Sequence, residues 1–336
     1  MKSISPKVTI LVIMLMCNGG FAQEAEQEKF KPYGSPIIKV FANFHTGVFQ
    51  DVNLAGFEIR RAYLGYSYNL TEKLYTQIKI DIGSPDDISE FSRIRRYAYF
   101  KNAFLRYTNW GFIFQAGLID MQHFITQEKF WGYRYIAKSY SDRYRFGPKA
   151  DIGVDAVYHF KEVFSIDVCL VNGEGYTNIQ RDNTFKGGLG INLYPVKGLT
   201  VRVYGDIKSK SNNEITLATF AGYKFKKLFR IAAEYNYKFN DNYFLNKEYY
   251  GYSLYGTIII SSKFEVFGRY DWLNSNIIEG DDKPWHLDRD GSSIIAGVQY
   301  QAHKRVKIAL DYQDWVPYVK NEPSSSLIFI NLEFKY

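Results

Sequence analysis

From about residue 39 to residue 336 the chain alternates apolar and polar side chains with a period of two, and many of the polar positions are charged. In FRIAAEYNYKF, Phe229, Ile231, Ala233, Tyr235, Tyr237 and Phe239 share one face of an extended strand, with Arg230, Glu234, Asn236 and Lys238 on the other. LYTQIKIDIG sets Leu74, Ile78, Ile80 and Ile82 against Gln77, Lys79 and Asp81. FEVFGRYDW sets Phe264, Val266, Tyr270 and Trp272 against Glu265, Arg269 and Asp271. Charges at every second or third inward position are costly in a dry core and ordinary on a wall that lines water. No run of eighteen apolar residues is present to make a membrane-spanning helix. The alternation therefore asks for strands with lipid on one side and water on the other.

Sixteen such segments can be counted, at about 39–49, 58–70, 74–83, 98–109, 110–121, 151–160, 164–175 and 185–195, then 199–210, 214–225, 229–240, 252–260, 264–273, 294–302, 306–316 and 326–336. Each is near the length a tilted membrane strand requires. Their links alternate. TEK, KEV, PVK, KKL, SSK and HKR are short, whereas DVNLAGF, SPDDISEFSRIRRY, GEGYTNIQRDNT, DNYFLNKEYYG, NSNIIEGDDKPWHLDRDG and PYVKNEPSSS are longer. SKSNN is the one short link on the long side. The predicted fold class is all-β: a 16-stranded antiparallel transmembrane β-barrel with short periplasmic turns and long extracellular loops. A soluble sandwich or propeller would not enforce that alternation of links along the whole chain.

Lys2 and Lys7, the apolar run Val8 to Cys17, and Gly20-Phe21-Ala22 read as a signal peptide over 1–22. A periplasmic segment over 23–38 and the barrel over 39–336 would follow. Loss of Cys17 leaves Cys169 alone, so an intramolecular disulfide is excluded. The formal charge drops from +7 to about +5, which favours anionic partners. Aromatic residues make up 18% of the chain, with 29 Tyr and 26 Phe, as lipid-facing girdles demand. The last strand alternates Ile328, Ile330, Leu332, Phe334 and Tyr336 with polar residues and ends on an aromatic side chain. That ending resembles the signal read by barrel-assembly machinery, and it places the chain in outer-membrane lipid.

One stretch breaks the pattern. QEKFWGYRYIAKSYSDRYRFG, 127–147, holds seven aromatic and five basic side chains and carries no clean alternation. It lies in the third long connection, 122–150, which is too long for an ordinary link and too aromatic to stay unfolded. Residues 114–160, with RRAYLGYSYNLTEKLYTQIKIDIG and AYFKNAFLRY, resemble the phosphate-selective porin O and P family of outer-membrane barrels. The resemblance is closest over residues 58–160. It implies a porin, usually a homotrimer, that passes small anions such as phosphate by passive diffusion, with its third loop folded into the lumen. In 122–150, Lys129, Arg134, Lys138, Arg143, Arg145 and Lys149 outnumber Glu128 and Asp142, and they are the expected constriction and anion-binding residues. Arg93, Arg95 and Arg96 form a second basic cluster. The inferred wall mixes signs, with Lys79, Lys101, Arg202, Lys224, Arg230, Arg269 and Lys307 against Asp81, Asp155, Asp206, Glu234, Glu265, Asp271 and Asp311. Selectivity is thus expected at the constriction.

The alternative is a plugged or scaffold-type barrel that acts as a binding partner in a larger assembly. An enzyme is not expected: His45, His123, His159, His286 and His303 show no catalytic spacing, and no G-x-S-x-G occurs. No cofactor, metal site or nucleic-acid partner is expected either.

Overall fold

The computed structural model describes residues 30–83, 98–180, 182–319 and 323–336. The segment read as a signal peptide and the Arg93, Arg95 and Arg96 cluster lie outside these residues. From Pro32 onward the chain forms one compact unit. Its first half carries β1 Tyr33–Phe49, β2 Val52–Asn69, β3 Leu74–Ile82, β4 Ala98–Asn109, β5 Phe112–Asp120, β6 Ala150–Phe160, β7 Phe164–Val171 and β8 Lys186–Leu193. The second half carries β9 Leu199–Ser209, β10 Asn213–Phe225, β11 Phe229–Phe239, β12 Tyr249–Ile259, β13 Phe264–Ser275, β14 Gly291–His303, β15 Val306–Pro317 and β16 Ser325–Lys335. The sixteen strands pair antiparallel in chain order and close by pairing of β1 with β16. Every strand has a hydrogen-bonded neighbour on both sides, so the sheet has no free edge strand to present to lipid.

The alternation read from the sequence is the alternation of the wall. In β11, Ile231 and Tyr235 face outward and exposed, while Glu234, Asn236 and Lys238 are buried inside. An apolar belt that includes Ile152, Val154, Val203, Leu217, Leu254, Leu310 and Ile330 covers the outside. Aromatic pairs flank it. Phe112–Phe114, Phe160–Phe164, Phe225–Phe229 and Phe264–Tyr300 lie toward the short turns, and Tyr237–Tyr250 and Tyr252–Trp272 toward the long loops. This is the girdle arrangement of a bilayer-spanning barrel.

The two ends differ in charge. The seven short turns (LTEK, WG, KEV, YPVKG, KKL, ISSK and KR) carry eight basic side chains against two acids. At the other end, leaving out the third loop, the described residues between strands carry ten acids against four bases.

Strand limits depart from the sequence reading by three residues or more in five strands. β1 begins at Tyr33, and Tyr33–Ile38 pair with Asn69–Leu64 of β2. DVNLAGF is no loop: Val52–Phe57 belong to β2, and the turn is Gln50–Asp51, both at positive φ. The cause is a bulge. Phe41 pairs with Arg61 and Ala42 with Ile59, which leaves Arg60 as the extra residue and shifts the alternation by one. β7 stops at Val171, and β12 and β14 begin at Tyr249 and Gly291. The wall is therefore uneven, with 17 and 18 residues in β1 and β2 and 8 each in β7 and β8.

Candidate constriction in the barrel lumen

The third connection leaves β5 at Asp120 and enters the lumen as a helix, α1 Gln122–Trp131. His123, Phe124, Gln127, Phe130 and Trp131 are its buried residues, spaced as one helical stripe. It ends at Gly132, whose φ of 75° is left-handed and whose N–H bonds back to the Glu128 carbonyl. A Cβ there would stand 3.0 Å from the tip of the Arg230 guanidinium, which a slight shift of that side chain relieves, so the left-handed φ is what favours glycine. The chain then crosses the lumen, makes a single helical turn α2 at Tyr140–Arg143, and rejoins the wall at β6.

Aromatic side chains fix this path. Trp131 is 1% exposed and meets Tyr255 and Phe267 edge-on at 5.7 and 6.1 Å, with Arg269 over its face at 5.1 Å. The Tyr133 hydroxyl donates to Glu265 at 2.6 Å, Tyr135 to Gln299 at 3.0 Å, and Tyr140 to the Trp272 carbonyl at 2.7 Å. Wall side chains in turn satisfy the loop's carbonyls. Arg60 donates to Ile136, Arg269 to Lys138, Tyr249 to Arg145 and Thr216 to Phe146, at 2.6 to 3.1 Å. A non-helical segment can sit at membrane depth only with its backbone satisfied in this way.

The six expected loop cations divide among different surroundings. Arg134 lies 3.6 Å from Glu128 and 3.4 Å from Asp142, and Lys149 contacts the same two acids. Burial opposes ionisation of Asp142, but Arg134 and then Lys149 outweigh it and bring the carboxyl down to about 2. Glu128 is lowered in the same way, with Lys149 and Arg134 overcoming its burial. The four therefore form a closed, fully charged cluster on the loop. Arg143 reaches Asp271 of β13 at 3.6 Å and lies over the Tyr144 ring. Lys138 is half-buried. Lys129, in the last turn of α1, and Arg145, at φ 59°, are exposed.

The loop cluster faces the wall of β2–β5. Lys101 is in electrostatic contact with Asp120, Lys149, Lys79 and Asp142, and Arg134 with Tyr63 and Arg61. Arg61 pairs with Asp81 at 3.3 Å and Lys101 with Asp120 at 3.5 Å. Above them Tyr176, from the β7–β8 loop, donates to Asp81 at 3.1 Å and lays its ring 4.2 Å from the Lys101 ammonium. Between loop and wall five bases (Arg61, Lys79, Lys101, Arg134, Lys149) meet four acids (Asp81, Asp120, Glu128, Asp142). Two bulges build it. The one at Arg60 turns Arg60 and Arg61 inward together, and one at Lys101 leaves Lys101 and Asn102 both buried on the lumen side. Sequence reasoning missed Arg60, Arg61 and Tyr176, because bulges carry no signature of their own and Tyr176 comes from another loop.

Tight ion pairs also line β7–β9. Arg202 makes a bidentate pair with Asp167 at 2.7 and 2.9 Å, and Lys186 meets Asp206 at 3.2 Å, beneath α1 and the β7–β8 loop. Ser275, Asp290 and His286 cluster at the long-loop rim, but the serine hydroxyl donates to the aspartate at 2.6 Å and the imidazole does not lie between them. No proton relay to a nucleophile results. Among the described residues no group of three or more His, Cys, Asp or Glu side chains could hold a metal ion.

No family model matches the chain, and no curated protein matches it. Solved structures do. OmpT of Vibrio cholerae lacking loop L8 superposes with a TM-score of 0.65 at 13% identity, covering 91% of this chain and 99% of that one. OmpF of Salmonella typhi, in complex with daunomycin, gives 0.68 at 12% identity over 90% and 97%. The anion-selective porin of Comamonas acidovorans gives 0.66 at 10% identity over 91% and 100%. The shared feature is the porin-type barrel. With its apolar belt and closed sheet, the chain is an outer-membrane β-barrel.

Proposed function

We propose that the chain is a porin: a water-filled path for passive diffusion of small solutes, with a preference for anions set where the third loop faces β2–β5. The observation that carries this reading is the facing of the loop cluster and the bulged wall, which together hold one more base than acid. Fixed cations at a constriction replace part of an anion's hydration with charge-assisted hydrogen bonds, while the paired acids keep the guanidinium and ammonium groups in register. The sequence resemblance to the phosphate-selective porin O and P family, and the anion selectivity stated for the Comamonas acidovorans barrel, support the same direction. Phosphate-like anions are the solutes this reading assigns, and a homotrimer the assembly; one solved relative of the barrel, OmpT of Vibrio cholerae, is described in a trimer form.

Planar-bilayer recording tests it. Single-channel steps should appear, and the reversal potential in a salt gradient should favour anions. Reversing Arg61, Arg134 and Lys149 to Glu should move that potential toward cations by tens of millivolts on the order of the Nernst limit. A cation-selective wild type would overturn this assignment.

A second reading has its own observation. Trp131, Tyr133, Tyr135, Tyr140 and Phe146 are each at most 1% exposed in the lumen, so the loop fills much of it. A plugged barrel would insert into the same bilayer and show no steps at all.

A further inference from the structure

We propose that the short-turn rim is a docking surface for anionic phospholipid headgroups in the surrounding leaflet. The rim's excess of basic side chains contrasts with the acidic opposite end, so it is a property of one end and not of the whole surface. More telling is where the cations sit. Lys161 lies over the Phe160 ring at 5.9 Å, Lys226 over Phe225 at 5.4 Å, and Arg305 over Tyr336 at 4.3 Å. Those rings belong to the outward faces of β6, β10 and β16, in the same rows as Val154, Leu217 and Ile330 of the apolar belt. Each charge therefore stands at the outer margin of the girdle, beside lipid and away from the lumen axis.

The chemistry follows from that position. A long basic stem packed on a girdle ring keeps its apolar length in the interface and its charge at headgroup level. The nearest acceptors there are phosphate oxygens, and a charge-assisted bond at the margin of a low-dielectric layer is stronger than one in bulk water. The spacing chooses the partner. The three cations lie on the β6–β7, β10–β11 and β14–β15 turns, four strands apart around the sixteen, so they face outward in different directions. One rigid macromolecule cannot touch all three from the side, whereas the ring of lipid around a barrel meets every one.

The surface does not depend on solute passage. The test places the full chain in nanodiscs of phosphatidylcholine and phosphatidylglycerol and counts the lipids retained by native mass spectrometry. Wild type should retain phosphatidylglycerol in preference. Lys161→Gln, Lys226→Gln and Arg305→Gln combined should lower that preference by about fivefold at each of the three places, and so by about fivefold in the lipids retained there. Lys161→Arg, Lys226→Arg and Arg305→Lys combined should keep it, and heat-modifiable gel mobility shows that both triples are folded. Equal retention of the two lipids by wild type, or an unaltered preference in the neutral triple, would overturn the proposal. So would displacement of bound phosphatidylglycerol by inorganic phosphate or by a soluble polyanion, which would give the rim to a free anion or to a polymer outside the bilayer.

Discussion

Asp142 and Glu128 show how single residues set the behaviour of the lumen. Both carboxyls are held below their ordinary values, although burial alone would raise them, because Arg134 and Lys149 stand against them. A carboxyl lowered in the folded state contributes stability above its unfolded value, and that contribution is lost as pH falls through the folded value. The loop cluster should therefore hold from neutral pH down to about 4, and release the loop as pH approaches about 2. Conductance and ion preference should change together as pH falls from about 4 toward about 2; their constancy across that interval would contradict the cluster. At this scale the sequence was readable in kind and not in pairing. The basic excess of 122–150 is plain in it. That Arg134 and Lys149 spend their charge on the loop's own acids, and Arg143 on Asp271, depends on a fold that brings together residues far apart in the chain.

Among the elements, α1 is what makes the third connection a fixed object. Its buried stripe starts at His123, upstream of the aromatic run, and two of its five buried positions are His123 and Gln127. Polar residues in an apolar stripe hide a helical period, and so the run from 127 to 147 showed none. The strands were legible because lipid enforces their alternation, except at bulges such as those at Arg60 and Lys101, where an added residue reverses the phase. Trp131 is the anchor of the loop, between Tyr133, Tyr255 and Phe267. Trp131→Ala should cost about 3–5 kcal/mol of loop stability and leave the closed sheet intact. The expected readouts are a larger and noisier single-channel conductance, faster proteolysis within 122–150, and an unchanged β-sheet circular dichroism. Conductance equal to wild type would mean that the loop does not border the path.

At the scale of the whole molecule, the height of the wall is as informative as its closure. β1 and β2 exceed β7 and β8 by nine or ten residues each, roughly 20 Å along the axis once strand tilt is allowed for. On the low side the following loop lies inward, with Glu174 on Lys208 and Tyr176 on Asp81. At the long-loop end β2 runs ten residues beyond the last residue it pairs with in β3, so the β1–β2 hairpin rises above that neighbour and carries its tip, Gln50–Asp51, clear of the described end of β3. A short peptide epitope inserted between those two residues should be stained by antibody on intact cells without permeabilisation, while the same epitope between Lys304 and Arg305 should stay hidden. Such a hairpin would also serve as a handhold: among the described residues its crest at Gln50–Asp51 is an exposed turn that a predator, a phage or an immune receptor could grip without entering the lumen.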